Sequence, residues 1–95
     1  MRSVREDTEA QIAADDAFEK WSRAEDSWDA VKWVLARDPN IGTPLSEGSL
    51  VRVFTYVGGW AYDMPTIVVL YEVDPQYVTI KSARFENAEL PAGRS

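Results

Sequence analysis

Three apolar segments in the second half of the chain decide the fold. Residues 50–57 read LVRVFTYV, residues 66–73 read TIVVLYEV, and residues 77–85 read YVTIKSARF. Each segment is rich in the β-branched and aromatic residues that strands favour. The middle one is apolar at nearly every position, which is typical of a strand buried on both faces. Asp74-Pro75-Gln76 is a turn with proline at its second position. The sequence therefore predicts an antiparallel meander with residues 66–73 as its central strand.

The turn also predicts how the last two strands pair. In a regular register, each residue of 66–73 lies opposite one residue of 77–85, counted back from the turn. The predicted pairs are Val73–Val78, Tyr71–Ile80, Val69–Ser82 and Ile67–Arg84 on one face, and Leu70–Lys81 and Val68–Ala83 on the other.

Residues 8–37 carry a helical pattern. Apolar residues recur with heptad spacing in one phase: Ala10, Ala14, Ala17, Trp21, Ala24, Trp28, Val31 and Leu35. This stripe predicts helix and makes Trp21 and Trp28 candidates for the core. Thr8 followed by Gln11 is typical of a capping box at a helix start. Asp38-Pro39 predicts the end, because proline lacks an N–H and disfavours a helical residue before it.

The stripe is compatible with two arrangements. Its unbroken phase, with no Gly or Pro inside, favours one helix of about 28 residues. Alternatively, two helices form a hairpin that breaks near Glu25-Asp26-Ser27, where Asp26 or Ser27 would cap the second helix. In either case the stripe needs an apolar surface to cover it. The sequence therefore predicts an α+β domain, with an N-terminal helix or helical hairpin packed on one face of a mainly antiparallel three- to four-stranded sheet.

Length and composition restrict the function. The 95 residues predict one domain at 1–87, with a frayed polar start at 1–7 and a tail at 88–95. The absence of Cys and His removes disulfides, thiolate zinc sites and the usual neutral-pH base, so no metal or cofactor is predicted. A net charge of −6 disfavours direct nucleic-acid binding. The chain shows neither a signal peptide nor an apolar run long enough to span a membrane, so we expect a cytoplasmic protein.

Two short motifs resemble those of a known protein family. Residues 33–45 read WVLARDPNIGTPL, a helix end followed by Asp-Pro and Gly-Thr-Pro, and Tyr71-Glu72-Val73 lies at the centre of the meander. Over about residues 28–86, this order resembles the RelE/ParE family of bacterial toxins. The resemblance implies a helical hairpin preceded by a first strand. It also implies a toxin–antitoxin module, in which an antitoxin peptide wraps the helices and sheet of the toxin.

The RelE branch cleaves mRNA in the ribosomal A site with basic residues on the sheet. Attack by a ribose hydroxyl needs a proton acceptor, and the charge that develops on phosphorus needs cations. The resemblance makes Arg84 the one carried-over catalytic candidate. Lys81 and Arg52 are further candidates because they lie on predicted strands, although they match no family motif securely. An apolar residue, Val68 or Val69, stands where the family often has arginine, and no Tyr or His follows Phe85. The catalytic set is incomplete, which leaves open whether the protein is an enzyme.

The ParE branch poisons DNA gyrase by protein contact and needs no catalytic set, so a contact-acting toxin is the leading hypothesis. Trp33 falls off the apolar stripe, and Trp60 and Tyr62 lie in the long loop 58–65. Because aromatic residues are enriched in binding hot spots, these are the candidate partner-binding residues. Two alternatives for them are that Trp33 packs on the Pro44-Leu45 loop and that the loop aromatics fold back over the sheet.

Two other functions remain open. A ribosome-dependent endoribonuclease predicts that Arg52, Lys81 and Arg84 converge on one face. A non-toxic relative, serving as a small interaction domain, predicts homodimerisation through the heptads of the long helix.

Overall fold

The computed structural model of the protein describes residues 2–88, apart from the side chain of Trp60. The helices are α1 (Thr8–Lys20) and α2 (Ala24–Arg37), and the strands are β1 (Ser3–Glu6), β2 (Thr43–Pro44), β3 (Val51–Tyr56), β4 (Thr66–Val73) and β5 (Tyr77–Glu86). A 3-10 turn, Trp60–Tyr62, lies between β3 and β4. The α+β class is confirmed, and β3, β4 and β5 begin and end within one residue of the predicted bounds. The predicted tail lies outside the described residues beyond Ala88.

The sheet has five strands in the order β1-β5-β4-β3-β2, so the predicted three to four strands were too few. It is mixed, because β1 runs parallel to β5. The predicted frayed start was wrong, since Val4 of β1 lies opposite Val78 and packs against the core. The Arg5 guanidinium also lies 3.9 Å from the centre of the Tyr77 ring. These contacts with β5 order a segment whose own composition is too polar to predict a strand.

The helical region forms a hairpin, so the single continuous helix is wrong. The break falls at Trp21–Arg23, just before the predicted Glu25–Ser27. Arg23 occupies the N-cap of α2 without a side-chain capping bond. Neither Asp26 nor Ser27 caps the helix, because both already lie within its first turn. No helix within residues 2–88 is long and apolar enough to cross a membrane.

A contact from a distant loop holds this break. The Ser22 N–H donates to Asp63 Oδ2 at 2.7 Å, and the Arg23 N–H donates to the Asp63 carbonyl at 3.3 Å. We call this pair of hydrogen bonds the Asp63 clasp. The bond from Ser22 lowers the pKa of the Asp63 carboxyl. Asp63 itself has a φ of 54°, a left-handed conformation that Asp adopts more readily than most residues. Part of the helix break is therefore determined by loop 58–65.

Both helices pack on one face of the sheet. The buried core joins the helical stripe to alternate residues of the two central strands: Ala10, Ala14, Trp28, Val31, Leu35, Ile67, Val69, Tyr71, Val78 and Ile80. The prediction for Trp28 is confirmed, since only 2% of it is exposed. Trp21 is half-buried at the end of α1, where its ring stacks on Phe85 and its Nε1–H donates to Asn87 Oδ1 at 3.1 Å.

A β-bulge changes the pairing of β4 with β5. Val73–Val78 and Tyr71–Ile80 pair as predicted, but the register shifts between Leu70 and Tyr71. Beyond the shift, the pairs are Leu70–Ser82, Val69–Ala83, Val68–Arg84 and Ile67–Phe85, so the four predicted pairs there were wrong. The extra residue on β5 is Lys81, and it turns Ala83 and Phe85 toward the helices in place of Ser82 and Arg84. Burial of apolar rather than polar side chains is the physical reason for the shift.

Hydrogen bonds from Tyr71 of β4 hold the loop after α2 against the sheet. The helix ends at Arg37 as Asp38-Pro39 predicts. The Tyr71 hydroxyl donates to the Pro39 carbonyl at 2.8 Å and accepts the Gly42 N–H at 2.9 Å. Burial raises the pKa of Tyr71. A side chain at Gly42 would lie 2.6 Å from the Val53 carbonyl oxygen, so only glycine fits this close approach.

Candidate functional site

The basic residue Arg52 is used inside the fold. Its Nη1 donates to the Gly42 carbonyl at 2.6 Å and to the Asn40 carbonyl at 3.2 Å. A guanidinium that donates to two loop carbonyls fastens the loop to β3. These contacts give the arginine at this position of β3 a structural role in holding the loop.

Lys81 and Arg84 are both paired with carboxylates. Lys81 lies at the bulge, with its Nζ 3.4 Å from Asp7 Oδ2 and 3.9 Å from Glu72 Oε1. Arg84 Nε lies 2.6 Å from Glu86 Oε2, and the Arg84 side chain is 72% exposed. Ion pairs this exposed contribute little to stability and reduce the positive charge available to a phosphate.

The structure does not bring these basic residues together. Arg52 lies opposite Tyr71, whose side chain is in the core, so Arg52 is on the helix-covered face. Arg84 lies opposite Val68 and is therefore on the other face. The convergence that an endoribonuclease site requires is absent for these candidates, because the sheet separates them.

Two of the candidate partner-binding aromatics, Trp33 and Tyr62, are exposed but lie apart. Trp33 is 56% exposed, and the Arg37 guanidinium stacks over its ring at 4.4 Å. Tyr62 is 67% exposed, while the Trp60 side chain lies outside the described structure. Loop 58–65 bonds to the chain at Ser22, just before α2 begins. Trp33 lies about ten residues further along α2, so about 15 Å of helix separates it from the loop. They do not form one patch.

Sequence reasoning missed an apolar surface on the face of the sheet remote from the helices. We call it the open face, and its residues are Val51, Val53, Thr55, Val68, Leu70, Glu72, Ser82 and Arg84. β4 was predicted to be buried on both faces, but its burial alternates, so that Val68 and Leu70 are only partly buried. A depression of about 310 Å³ lies over Val53, Val68 and Leu70, with Ser82 and Arg84 beside it. The polar residues on the neighbouring strands were the available signal that one face was uncovered.

A second depression lies between the two helices. It has a volume of about 290 Å³, and Asp15, Glu25 and Asp29 contribute to its lining. At its base, Glu6 accepts the Trp28 Nε1–H at 3.0 Å and the Lys32 ammonium at 3.2 Å. Glu6 is therefore satisfied within the fold. Asp29 Oδ1 also lies 3.7 Å from Lys32 Nζ, so Asp15 and Glu25 are the carboxylates that give this cleft an acidic rim. It could not be predicted, because it depends on β1.

No metal centre is formed within residues 2–88, which contain no group of three or more Asp or Glu side chains placed to hold an ion. Compared with known proteins, the sequence matches no family model and no curated protein.

Proposed function

We propose that this chain is a RelE/ParE-like toxin of a bacterial toxin–antitoxin system, which acts by protein contact and is neutralised by an antitoxin peptide. The observation that carries the proposal is the open face, a sheet surface turned away from both helices with an apolar patch at Val53, Val68 and Leu70. The helical hairpin and the N-terminal strand β1 also support it, since the resemblance implies both.

Contact is favoured over nucleolysis by the use made of the basic residues. Arg52 holds a loop, Lys81 joins Asp7 to Glu72, and Arg84 is paired beside its own strand neighbour Glu86. Cleavage of RNA requires cations that meet around one phosphate. The apolar patch of Val53, Val68 and Leu70, with polar residues around it, is suited to a protein partner, with DNA gyrase the first target to examine and the ribosome the second.

The antitoxin is expected to present two kinds of segment. An apolar strand or helix face would cover Val53, Val68 and Leu70, because burial of apolar area supplies most of the free energy of such contacts. A basic or weakly acidic stretch would meet the acidic rim between the helices, at Asp15 and Glu25.

The experiment is growth after tightly induced expression in bacteria. Wild type is compared with Leu70→Asn on the open face, with Arg84→Ala, and with Ile12→Asn as a matched control on an exposed site of α1. We expect arrest by wild type, Arg84→Ala and Ile12→Asn, and loss of arrest in Leu70→Asn. Circular dichroism and thermal unfolding of each purified variant establish that all of them are folded.

Other outcomes of the growth experiment would contradict the proposal in different ways. Loss of arrest in Arg84→Ala together with cleaved mRNA would replace the proposal with an endoribonuclease. Arrest that survives Leu70→Asn would remove the open face from the mechanism. Soluble, folded wild-type protein that never arrests growth would overturn the toxin proposal and favour the non-toxic relative. Where arrest occurs, a gyrase supercoiling assay with the purified chain identifies or dismisses the first target.

A further inference from the structure

The hairpin retains the sequence pattern of one straight helix. The apolar stripe from Ala10 to Leu35 keeps its heptad phase through the break at 21–23. Those three residues are Trp21, Ser22 and Arg23, none of which is a helix breaker. Local sequence therefore favours a continuous helix at a point where the folded chain turns back.

The hairpin and a continuous helix differ in the hydrogen bonds of only a few backbone groups. The Trp21 N–H still donates to the Ala17 carbonyl at 3.0 Å, as in a helix, and the ladder resumes where the Ser27 N–H donates to the Arg23 carbonyl. Between them, the N–H groups of Ser22 and Arg23 are held by the Asp63 clasp. In a continuous helix, these same groups would donate to the carbonyls of Phe18 and Glu19. The clasp therefore competes directly with helix continuation.

Straightening would carry β1 and α1 away from their own sheet. In the folded chain, β1 pairs along β5, and Ala10 and Ala14 of α1 lie in the core. The vacated surface is complementary in shape to the segment that left it, with apolar sites for Val4, Ala10 and Ala14. A second copy of this chain supplies the same segment, so every contact of β1 and α1 can be formed again between copies. Exchange of this kind requires little new surface and is controlled by the hinge.

We propose that residues 21–23 are a hinge through which two copies of the chain exchange β1 and α1, each forming one continuous helix over residues 8–37, and that the Asp63 clasp holds the monomer closed. This proposal is independent of the toxin-like function. It concerns the association of the chain with itself, and it rests on the heptad phase, the hinge composition and the clasp. The dimer joins the copies through the whole exchanged segment rather than through a surface patch.

Two substitutions act on the hinge in opposite directions. Asp63→Ala removes the carboxylate that holds the Ser22 N–H and is expected to raise the dimer association constant about tenfold, because the lost bond exists in the closed form alone, whereas the strain of alanine at a left-handed φ is common to both forms. Ser22→Pro acts in the opposite direction. It also removes the Ser22 N–H from the clasp, but it costs the continuous helix more, because the proline ring clashes with the helix carbonyl four residues earlier, that of Phe18. The turn is closed by the Ala24 N–H and the Trp21 carbonyl at 3.2 Å, with Arg23 at φ −108° and ψ 16°, close to the third position of a type I turn. Proline suits the second position of that turn, and it interrupts a continuous helix.

The first test measures mass by light scattering after size-exclusion chromatography, over a wide range of protein concentration. Each protein is first incubated near its unfolding midpoint, so that exchange can occur, and is then cooled. We expect some dimer from wild type, more from Asp63→Ala, and monomer from Ser22→Pro and from the double variant. A monomeric Asp63→Ala, or a Ser22→Pro that dimerises as readily as wild type, would overturn the hinge. If Asp63→Ala does not fold, the comparison of wild type with Ser22→Pro tests the hinge by itself.

A second test observes the helix directly. The chain contains no cysteine, so Asp15→Cys and Asp29→Cys can carry the only two spin labels. Both positions line the cleft between the helices in the hairpin, whereas a continuous helix would separate them by about 21 Å. Dimer is prepared from labelled protein diluted with excess unlabelled protein, so that only distances within one chain are measured. A dimer that retains the short distance would show association without exchange and contradict the proposal.

Discussion

Tyr71 joins the centre of the sheet to the loop that follows α2. The sequence places it on the central strand, and its ring is fully buried. Its hydroxyl bonds both the Pro39 carbonyl and the Gly42 N–H, which lie about thirty residues earlier in the chain. No local pattern predicts those partners, because hydroxyl contacts over such a separation depend on the packed fold.

Tyr71→Phe is expected to lower the free energy of unfolding by about 1–3 kcal/mol, since it leaves a buried carbonyl and a buried N–H without their partner. Tyr62→Phe is the control, because Tyr62 is exposed and its loss of a hydroxyl should change stability by less than about 0.5 kcal/mol. Urea unfolding followed by fluorescence measures both. Equal effects of the two substitutions would show that the Tyr71 bridge does not stabilise the fold.

Asp74 gives a prediction about pH. Its carboxylate accepts the N–H groups of Gln76 and Tyr77 at 2.8 and 2.7 Å, and these bonds lower its pKa below the ordinary value of 3.8. A lowered pKa in the folded state means that the ionised group stabilises the fold above pH 3.8 and that this stabilisation is lost as pH falls through the folded-state value. Asp74→Ala should therefore lower the urea midpoint at neutral pH and have a smaller effect in strong acid. A difference between variant and wild type that does not shrink on acidification would contradict this assignment.

At the scale of secondary structure, the bulge at Lys81 decides which residues of β5 reach the core. Sequence periodicity predicts a regular strand, and period-two alternation would bury Ser82 and Arg84. Adding one residue reverses the alternation for the rest of the strand. Phe85 then lies 5.5 Å from the Trp28 ring, measured between ring centres. The bulge forms because it buries Ala83 and Phe85 instead of Ser82 and Arg84. A prediction from strict alternation does not compare the two registers by the residues that each would bury.

The two registers make opposite predictions for adjacent residues. Phe85→Ala should lower the free energy of unfolding by about 2–3 kcal/mol, because it removes a ring packed on Trp21 and Trp28. Arg84→Ala should change it by less than about 0.5 kcal/mol, because that side chain is exposed. Thermal or urea unfolding of the two variants measures both values. The reverse order would indicate the regular register, with Arg84 directed toward the helices.

At the scale of the whole molecule, β1 connects the sheet to the helical layer. It extends the sheet beside β5, and its last residue, Glu6, accepts bonds from Trp28 and Lys32 of α2. The Arg2 N–H also donates to the Ala36 carbonyl at 3.0 Å, near the end of α2. A segment that looks frayed in isolation therefore ties the sheet to the hairpin.

Replacing residues 1–6 with a single methionine should cost more than about 3 kcal/mol of stability, because it exposes the edge of β5 and removes the acceptor of the buried Trp28 Nε1–H. Ser3→Ala is the control and should be close to neutral, since Ser3 is exposed on the same strand. Differential scanning calorimetry gives both values. An unchanged melting temperature after truncation would mean that β1 is dispensable.

The sequence by itself determined the meander, its central strand, the end of α2 at Asp38-Pro39 and the apolar stripe of the helices. These follow from composition, alternation and proline geometry, which act over a few neighbouring residues. Only the tertiary structure decided the hairpin, the bulge, the strand β1 and the separation of Arg52 from Arg84. Each of these depends on a partner distant in sequence: Asp63 for the hinge, the helices for Phe85, β5 for Val4, and the sheet between the two arginines. Such contacts form when the chain packs, so a local pattern cannot contain them.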